Sequence, residues 1–239
     1  MQADGLVHKK HYAKFRQINK FLEIVEDALK QFPEDKSLRI VDFGCGKAYL
    51  TFALYHYLKL AKAREIRIVG LDLKEDVIAF CNQVARDLNY EGLEFQVGDI
   101  ADYTAGQGTD LVVTLHACDT ATDFALIKAV SWDASVILSV PCCQHELFDQ
   151  LRNKINGPML KHGLLKERFT AILTDTLRGL KLEEKGYEVS MIEFTSLEHT
   201  AKNIMIKGIK TGRFNAEAKE DFDRLVEFWQ VSPTISQLL

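Results

Sequence analysis

The segment LRIVDFGCGKAY, Leu38 to Tyr49, limits what this chain can fold into more than any other stretch. Ile40, Val41 and Phe43 make a short β-branched and aromatic run of the kind buried in a parallel sheet, and the run stops at Gly44. Gly44 and Gly46 permit a sharp turn that brings bare backbone up to a ligand, and Lys47 to Ala63 then reads as helix. Strand, glycine turn and helix form a nucleotide-cradling unit at the carboxyl edge of an α/β sheet. The turn also narrows the ligand. A dinucleotide fingerprint needs a third glycine at position 49, where Tyr49 is too bulky to pack against a pyrophosphate, so NAD and FAD are disfavoured.

With Asp42 ahead of Gly44, Cys45, Gly46, Lys47 and Ala48, the turn resembles motif I of the class I S-adenosylmethionine-dependent methyltransferases. Ala48 stands where the family pattern has its third glycine. The resemblance implies that Asp42 holds the methionine amino group, that Gly44, Cys45 and Gly46 pass under the cofactor, and that Tyr49 borders it. Ile66 to Leu71 reads as a second strand ending in Asp72 and Leu73, and a carboxylate there is placed to accept ribose hydroxyls. Leu93 to Val97 reads as a third strand, closed by Gly98, Asp99 and Ile100. In the resembled family an acid at that point accepts the adenine amino group, and the apolar residue after it lies against the ring. Either aspartate alone could be a helix N-cap. Acids at three successive strand ends are harder to explain by capping.

Further strands are expected at Asp110 to Leu115, Ser135 to Val140, Tyr187 to Thr195 and Asn203 to Ile209, the last two as an antiparallel pair. Helical periodicity marks residues 8 to 31, Lys74 to Asn89, Glu146 to Gly186 with a break near Pro158, and Ala216 to Phe228. No repeat or low-complexity linker divides the chain. The expected architecture is α/β: a Rossmann-like class I methyltransferase with a seven-stranded, mostly parallel sheet and helices on both faces. A helical extension is expected at residues 1–36 and the methyltransferase domain at residues 37–239.

Methyl transfer from a sulfonium requires an acceptor held in line and relieved of its proton. The candidates follow the fourth and fifth strands. They are His116 and Asp119, then Cys142, Cys143 and His145, with His116 also bordering the cofactor. Asp119 reads equally well as the N-cap of a helix beginning at Thr120. No Asp-Pro-Pro-Tyr or Asn-Pro-Pro-Tyr signature is present, which disfavours amino and amide acceptors. The pair of segments LHACDTATD and PCCQH is similar to a subgroup that includes the eukaryotic tRNA ribose 2′-O-methyltransferases and several methyltransferase-like proteins. Ala121, Thr122, Asp123, Cys142 and Cys143 match that subgroup, whereas Gln144 departs from it and its zinc-finger extensions are missing. Adjacent cysteines do not match the spaced pairs of structural zinc sites, so no metal is expected. A nucleophilic cysteine of the RNA C5-methylating kind lacks the rest of that architecture.

A net charge of −4 excludes general attraction to nucleic acid, so any such contact must be local. Lys9, Lys10, Lys14, Arg16 and Lys20 have no acid among them until Glu23, and read as either a solvated helix face or a phosphate-binding edge. Lys202, Lys207, Lys210 and Arg213 are further phosphate candidates. No run approaches a membrane span or a secretory signal, and five cysteines lack disulfide-like spacing, so a cytoplasmic location is expected. The expected activity is S-adenosylmethionine-dependent methylation of RNA, either tRNA or rRNA. A protein or small-molecule acceptor, or a non-catalytic cofactor- or RNA-binding module of the same fold, are the alternatives.

Overall fold

The computed structural model describes residue 8 and residues 11–104, 108–115, 117–194 and 203–238. Lys9, Lys10, His116, residues 196–200 and Lys202 therefore lie outside the described residues. The elements run α1 (Tyr12–Leu29), β1 (Leu38–Phe43), α2 (Tyr49–Tyr55), β2 (Ile66–Asp72), α3 (Glu75–Asp87), β3 (Leu93–Val97) and β4 (Leu111–Thr114). They continue with α4 (Thr120–Ser131), β5 (Val136–Ser139), α5 (Gly157–Leu160), α6 (Gly163–Glu184), β6 (Tyr187–Glu193), β7 (Ile204–Lys210) and α7 (Ala216–Trp229). The seven strands form one sheet in the order β3-β2-β1-β4-β5-β7-β6. β1 to β5 pair in parallel, and β7 enters antiparallel between β5 and β6.

Alternation along the strands builds two cores. Leu38 and Ile40 of β1, Leu111 and Val113 of β4, and Val136 and Leu138 of β5 pack on the face covered by α1, α2 and α3. Val41, Phe43, Val112 and Ile137 point to the opposite face, under α4, α6 and α7. β4, β5 and most of β1 are buried on both sides, which accounts for their near-continuous apolar sequences, whereas β3 and β6 at the sheet edges alternate with exposed residues. α1, expected as an extension, packs Phe21, Val25, Ala28 and Leu29 into the first of these cores.

Two expected helices differ from the structure. The helix after the glycine turn widens into a π-helical stretch, His56–Ala61, where Lys62 N–H bonds to the Tyr57 carbonyl. The segment from Glu146 to Gln150 forms turns rather than helix. The C-terminal tail takes up its polar groups: Glu146 Oε1 accepts from Thr234 N–H and hydroxyl, and Gln150 Oε1 accepts from Ser232 N–H. Side-chain bonds to a distant strand of backbone compete with a local helix.

The chain goes from β1 to β2 on one side of β1 and returns through β4 on the other, so the topological switch lies between β1 and β4. Ligands of open α/β sheets bind outside the carboxyl ends at that switch.

Candidate active site

Asp42, Asp72 and Asp99 stand at or just beyond the carboxyl ends of three neighbouring strands. Asp42 pairs with Gly70 and Asp72 with Val97 in the sheet register, so all three face one edge. Their surroundings differ. Asp42 is buried and accepts a hydrogen bond from the Thr51 hydroxyl of α2. Burial pushes its carboxyl up to about 7, with the nearby charge of Asp72 adding to the effect. Asp72 Oδ2 accepts from Gly46 N–H at 2.9 Å and its Oδ1 from Lys74 N–H at 3.1 Å, so one carboxylate joins the glycine turn to the start of α3. Asp99 is exposed and accepts from Ala101 N–H at 2.8 Å, which closes a tight turn after β3.

The turn has the strained backbone its sequence implies. Gly44 and Gly46 have φ of 68° and 51°, and Ala48 follows in the same left-handed region at 54°. A Cβ added at Gly46 would meet nothing within 4 Å, so open space lies over the turn. Gly70 is tight by contrast: a Cβ there would sit 2.5 Å from the Phe95 ring and 3.2 Å from Cys45 Sγ. A cavity of about 140 Å³ opens beside the turn, lined by Asp42, Cys45, Tyr49 and Thr51 together with Lys14 and Gln17 of α1. That volume suits one end of a ligand rather than a whole nucleoside. Lys14 Nζ lies 4.1 Å from the centre of the exposed Tyr49 ring, and partial burial lowers the lysine's basicity. Next to Asp72 and Asp99, exposed Leu73 and Val97 and half-buried Ile100 supply apolar surface on which a base could rest.

Across the switch, the loops after β4 and β5 are tied together by a buried ionic network. Arg178 of α6, with no exposed surface, gives Nε and Nη2 to the two oxygens of Asp123 at 3.0 and 2.6 Å. Its Nη1 reaches Asp175 Oδ1 at 3.0 Å, and Nη2 also donates to the Asp119 carbonyl at 2.9 Å. Asp175 Oδ2 accepts from Gln144 Nε2 at 2.9 Å. Burial raises the Asp175 carboxyl to about 6 even with the guanidinium beside it. Asp119 has φ of 52° and makes no side-chain capping bond to α4. Its Oδ1 instead accepts from His145 and Glu146 N–H at 2.8 and 3.0 Å, joining the two loops directly.

Those loops bring three sulfurs together. Cys118 and Cys142 Sγ are 3.3 Å apart, and Cys143 Sγ lies 3.8 Å from each. Burial, then the adjacent thiols, push the Cys142 thiol up to about 12. His145 is exposed at the same edge.

The sequence pattern of a family described as "Methyltransferase domain" matches residues 13–150, from the start of α1 to just past β5. The chain belongs to this methyltransferase family. The family's methyl donor is S-adenosylmethionine. Among curated relatives, the glutathione S-transferase C-terminal domain-containing proteins of Homo sapiens and Bos taurus are each 26% identical over 230 residues, covering 82% of this chain and 33% of theirs. The chain thus spans about a third of the length of the curated relatives it matches. Its fold is similar to that of a putative S-adenosylmethionine-dependent methyltransferase from Methanococcus maripaludis, with a TM-score of 0.52, 16% identity and coverage of 84% and 90%. Magnesium protoporphyrin IX methyltransferase from Synechocystis, solved with bound S-adenosylmethionine, gives a TM-score of 0.51 at 15% identity, covering 87% of each chain. An rRNA methylase from Streptococcus thermophilus gives 0.51 at 13% identity, with coverage of 79% and 95%.

The methyltransferase edge fits its donor: open space over Gly46, a buried carboxyl in the cavity wall and a carboxylate at the end of β2 suit an amino acid joined to a nucleoside. Sequence reasoning did not single out Thr51, Gln17, Asp175 or Arg178. Arg178 left one usable trace, a basic residue three positions after Asp175 on a helix that buries Leu173, Leu177 and Leu182 around it. Lys14, one of the residues expected at a solvated face or a phosphate-binding edge, lies in the wall of the cavity.

Proposed function

We propose that this methyltransferase grips S-adenosylmethionine along the carboxyl edges of β1, β2 and β3 and accepts its substrate over the loops that follow β4 and β5. The observation that carries the reading is the gathering of Asp42, Asp72 and Asp99 on one edge beside an open glycine turn. Asp42 takes the methionine ammonium, Lys14 its carboxylate, Asp72 the ribose hydroxyls, and Asp99 with Leu73 and Ile100 the adenine. Cys45, Gly44, Gly46 and Tyr49 border the chain between them. The donor supplies a methyl group on a positively charged sulfur, so the protein's task is to align the acceptor and remove a proton. Asp119, whose carboxylate already accepts two backbone N–H groups, is a positioning residue. His145 and His116 are the candidate proton acceptors, with Cys142 and Cys143 lining the acceptor side.

An RNA acceptor, tRNA or rRNA, is the finer reading. It is supported by the run of His11, Lys14, Arg16 and Lys20 without an intervening acid on the helix that flanks the cavity. Lys207 and Lys210 give less support, since they pair with Asp27 and Asp133. Purified protein is incubated with radiolabelled donor and with RNA, protein or small-molecule fractions of a cell extract. Label in RNA that disappears with Asp72→Ala supports the proposal. Label confined to protein or to small molecules replaces RNA as the acceptor. A chain that binds the donor and labels no fraction is the non-catalytic module.

A further inference from the structure

We propose that Cys118, Cys142 and Cys143 bind a zinc ion through three thiolates at the acceptor edge. The three sulfurs lie within 4.8 Å of one another, and no fourth histidine, cysteine or acid joins them among the described residues. A tetrahedral zinc ion with Zn–S bonds of about 2.3 Å holds its sulfurs roughly 3.8 Å apart. Two of the three separations here are 3.8 Å and the third is 3.3 Å, so the triangle needs only a small side-chain rotation to become one face of that tetrahedron.

Sequence spacing alone argues against this site because adjacent cysteines on a strand or helix diverge. Here Cys142 and Cys143 follow Pro141 in a segment that is neither strand nor helix, and the two sulfurs turn to the same side. The third sulfur comes from a different strand end. What holds the two loops in register is independent of the thiols: Asp119 bonds the first loop to the backbone of the second, and Arg178 joins Asp123, Asp175 and the Asp119 carbonyl. Gln144, the residue after the cysteine pair, is fastened to Asp175. Such fixed supporting contacts are what a metal site uses to aim its ligands.

Thiolate ligands select a soft or borderline ion over magnesium or calcium. Binding releases one proton from each of three thiols to solvent and leaves a complex of net charge −1, with water or an acceptor atom as the fourth ligand. The ion changes neither its own oxidation state nor that of the sulfurs. The inference stands apart from the proposed methyl transfer, because metal content is read without donor or acceptor.

The test uses the full chain kept under reductant, stripped with chelator and reloaded with zinc or cobalt. The expected result is one zinc per chain, a sulfur-to-cobalt charge-transfer band with tetrahedral d–d bands, and at least a tenfold loss of bound metal in Cys118→Ser. Cys81→Ser, elsewhere in the fold, keeps the wild-type content. Alkylation of the wild-type chain needs no variant: zinc should slow modification of Cys118 and Cys143 at least tenfold. Equal metal content in Cys118→Ser, unchanged alkylation with excess zinc, or a Cys118–Cys142 disulfide that persists under reductant would each overturn the proposal.

Discussion

The two halves of the carboxyl edge are built by different means. On the donor side, across β1, β2 and β3, the aspartates are held by Thr51, Lys74 and Ala101, each within nine residues, and Asp72 also by Gly46 N–H of the turn that follows the neighbouring strand. On the acceptor side, the loops after β4 and β5 are held by one fully buried arginine from α6, 55 residues from its partner Asp123. The donor side is therefore a property of short motifs, and the acceptor side a property of tertiary structure. The two should respond differently to substitution.

The largest expected effect is at Arg178. Arg178→Met strands Asp123 and Asp175 without their counter-charge, and breaking a buried pair costs about 3–5 kcal/mol. Denaturant unfolding checks this. A triple variant that also carries Asp123→Leu and Asp175→Leu should recover most of that stability, because apolar replacement of a whole buried network is often neutral. If the triple variant remains as unstable as Arg178→Met, the network is needed for folding itself and the contrast weakens.

Asp42 gives the opposite sign. Its carboxyl lies near 7 in the folded protein and near 3.8 when unfolded, so the folded state binds the extra proton between those values. Stability falls as pH rises from about 4 to about 7, by an amount on the order of 4 kcal/mol. Asp42→Asn should raise the melting temperature at pH 8 and remove that part of the pH dependence, while weakening binding of S-adenosylhomocysteine. In the wild type the ammonium of the ligand selects ionised Asp42, so affinity should rise about fivefold between pH 6 and 7. Calorimetry at the two pH values reads this. An affinity that is flat or falls over that range would remove Asp42 from the ammonium site.

Lys14→Met should weaken the same ligand by about 1.5–3 kcal/mol with little change in stability, the loss expected for one charged hydrogen bond. An unaltered affinity would return Lys14 to the solvated or phosphate-binding face. The smallest effect is at Ala48, which holds a left-handed backbone at φ 54° where glycine is more at ease. Ala48→Gly should stabilise the fold by about 0.5–1 kcal/mol, seen as a shift of the denaturation midpoint with unchanged slope.

This division also explains what could be read from the sequence. Every strand was legible: burial on both faces leaves short apolar runs in β1, β4 and β5, and the edge strands β3 and β6 keep an apolar residue at alternate positions. The three aspartates were legible because a strand end fixes where its next residue must be. Asp119 was ambiguous between a cap and a catalytic group; its side chain makes no capping bond, and its carboxylate accepts from a loop 26 residues away. Nothing local encodes that choice. The convergence of Cys118 with Cys142 and Cys143 was hidden for the same reason, since it depends on β4 and β5 lying side by side with their loops fastened from α6. The turns at Glu146 to Gln150 were misread as helix because their partners, Ser232 and Thr234, come from the far end of the chain.

The most direct test is calorimetric titration of the purified chain with S-adenosylhomocysteine, beside Asp72→Ala and with NAD as the competing nucleotide. Saturable one-to-one binding to the wild type, a loss of at least a hundredfold in the variant and no response to NAD is the expected outcome. Equal affinity in wild type and variant, or preference for NAD, would mean that the carboxyl edge of β1 to β3 does not hold the methyl donor.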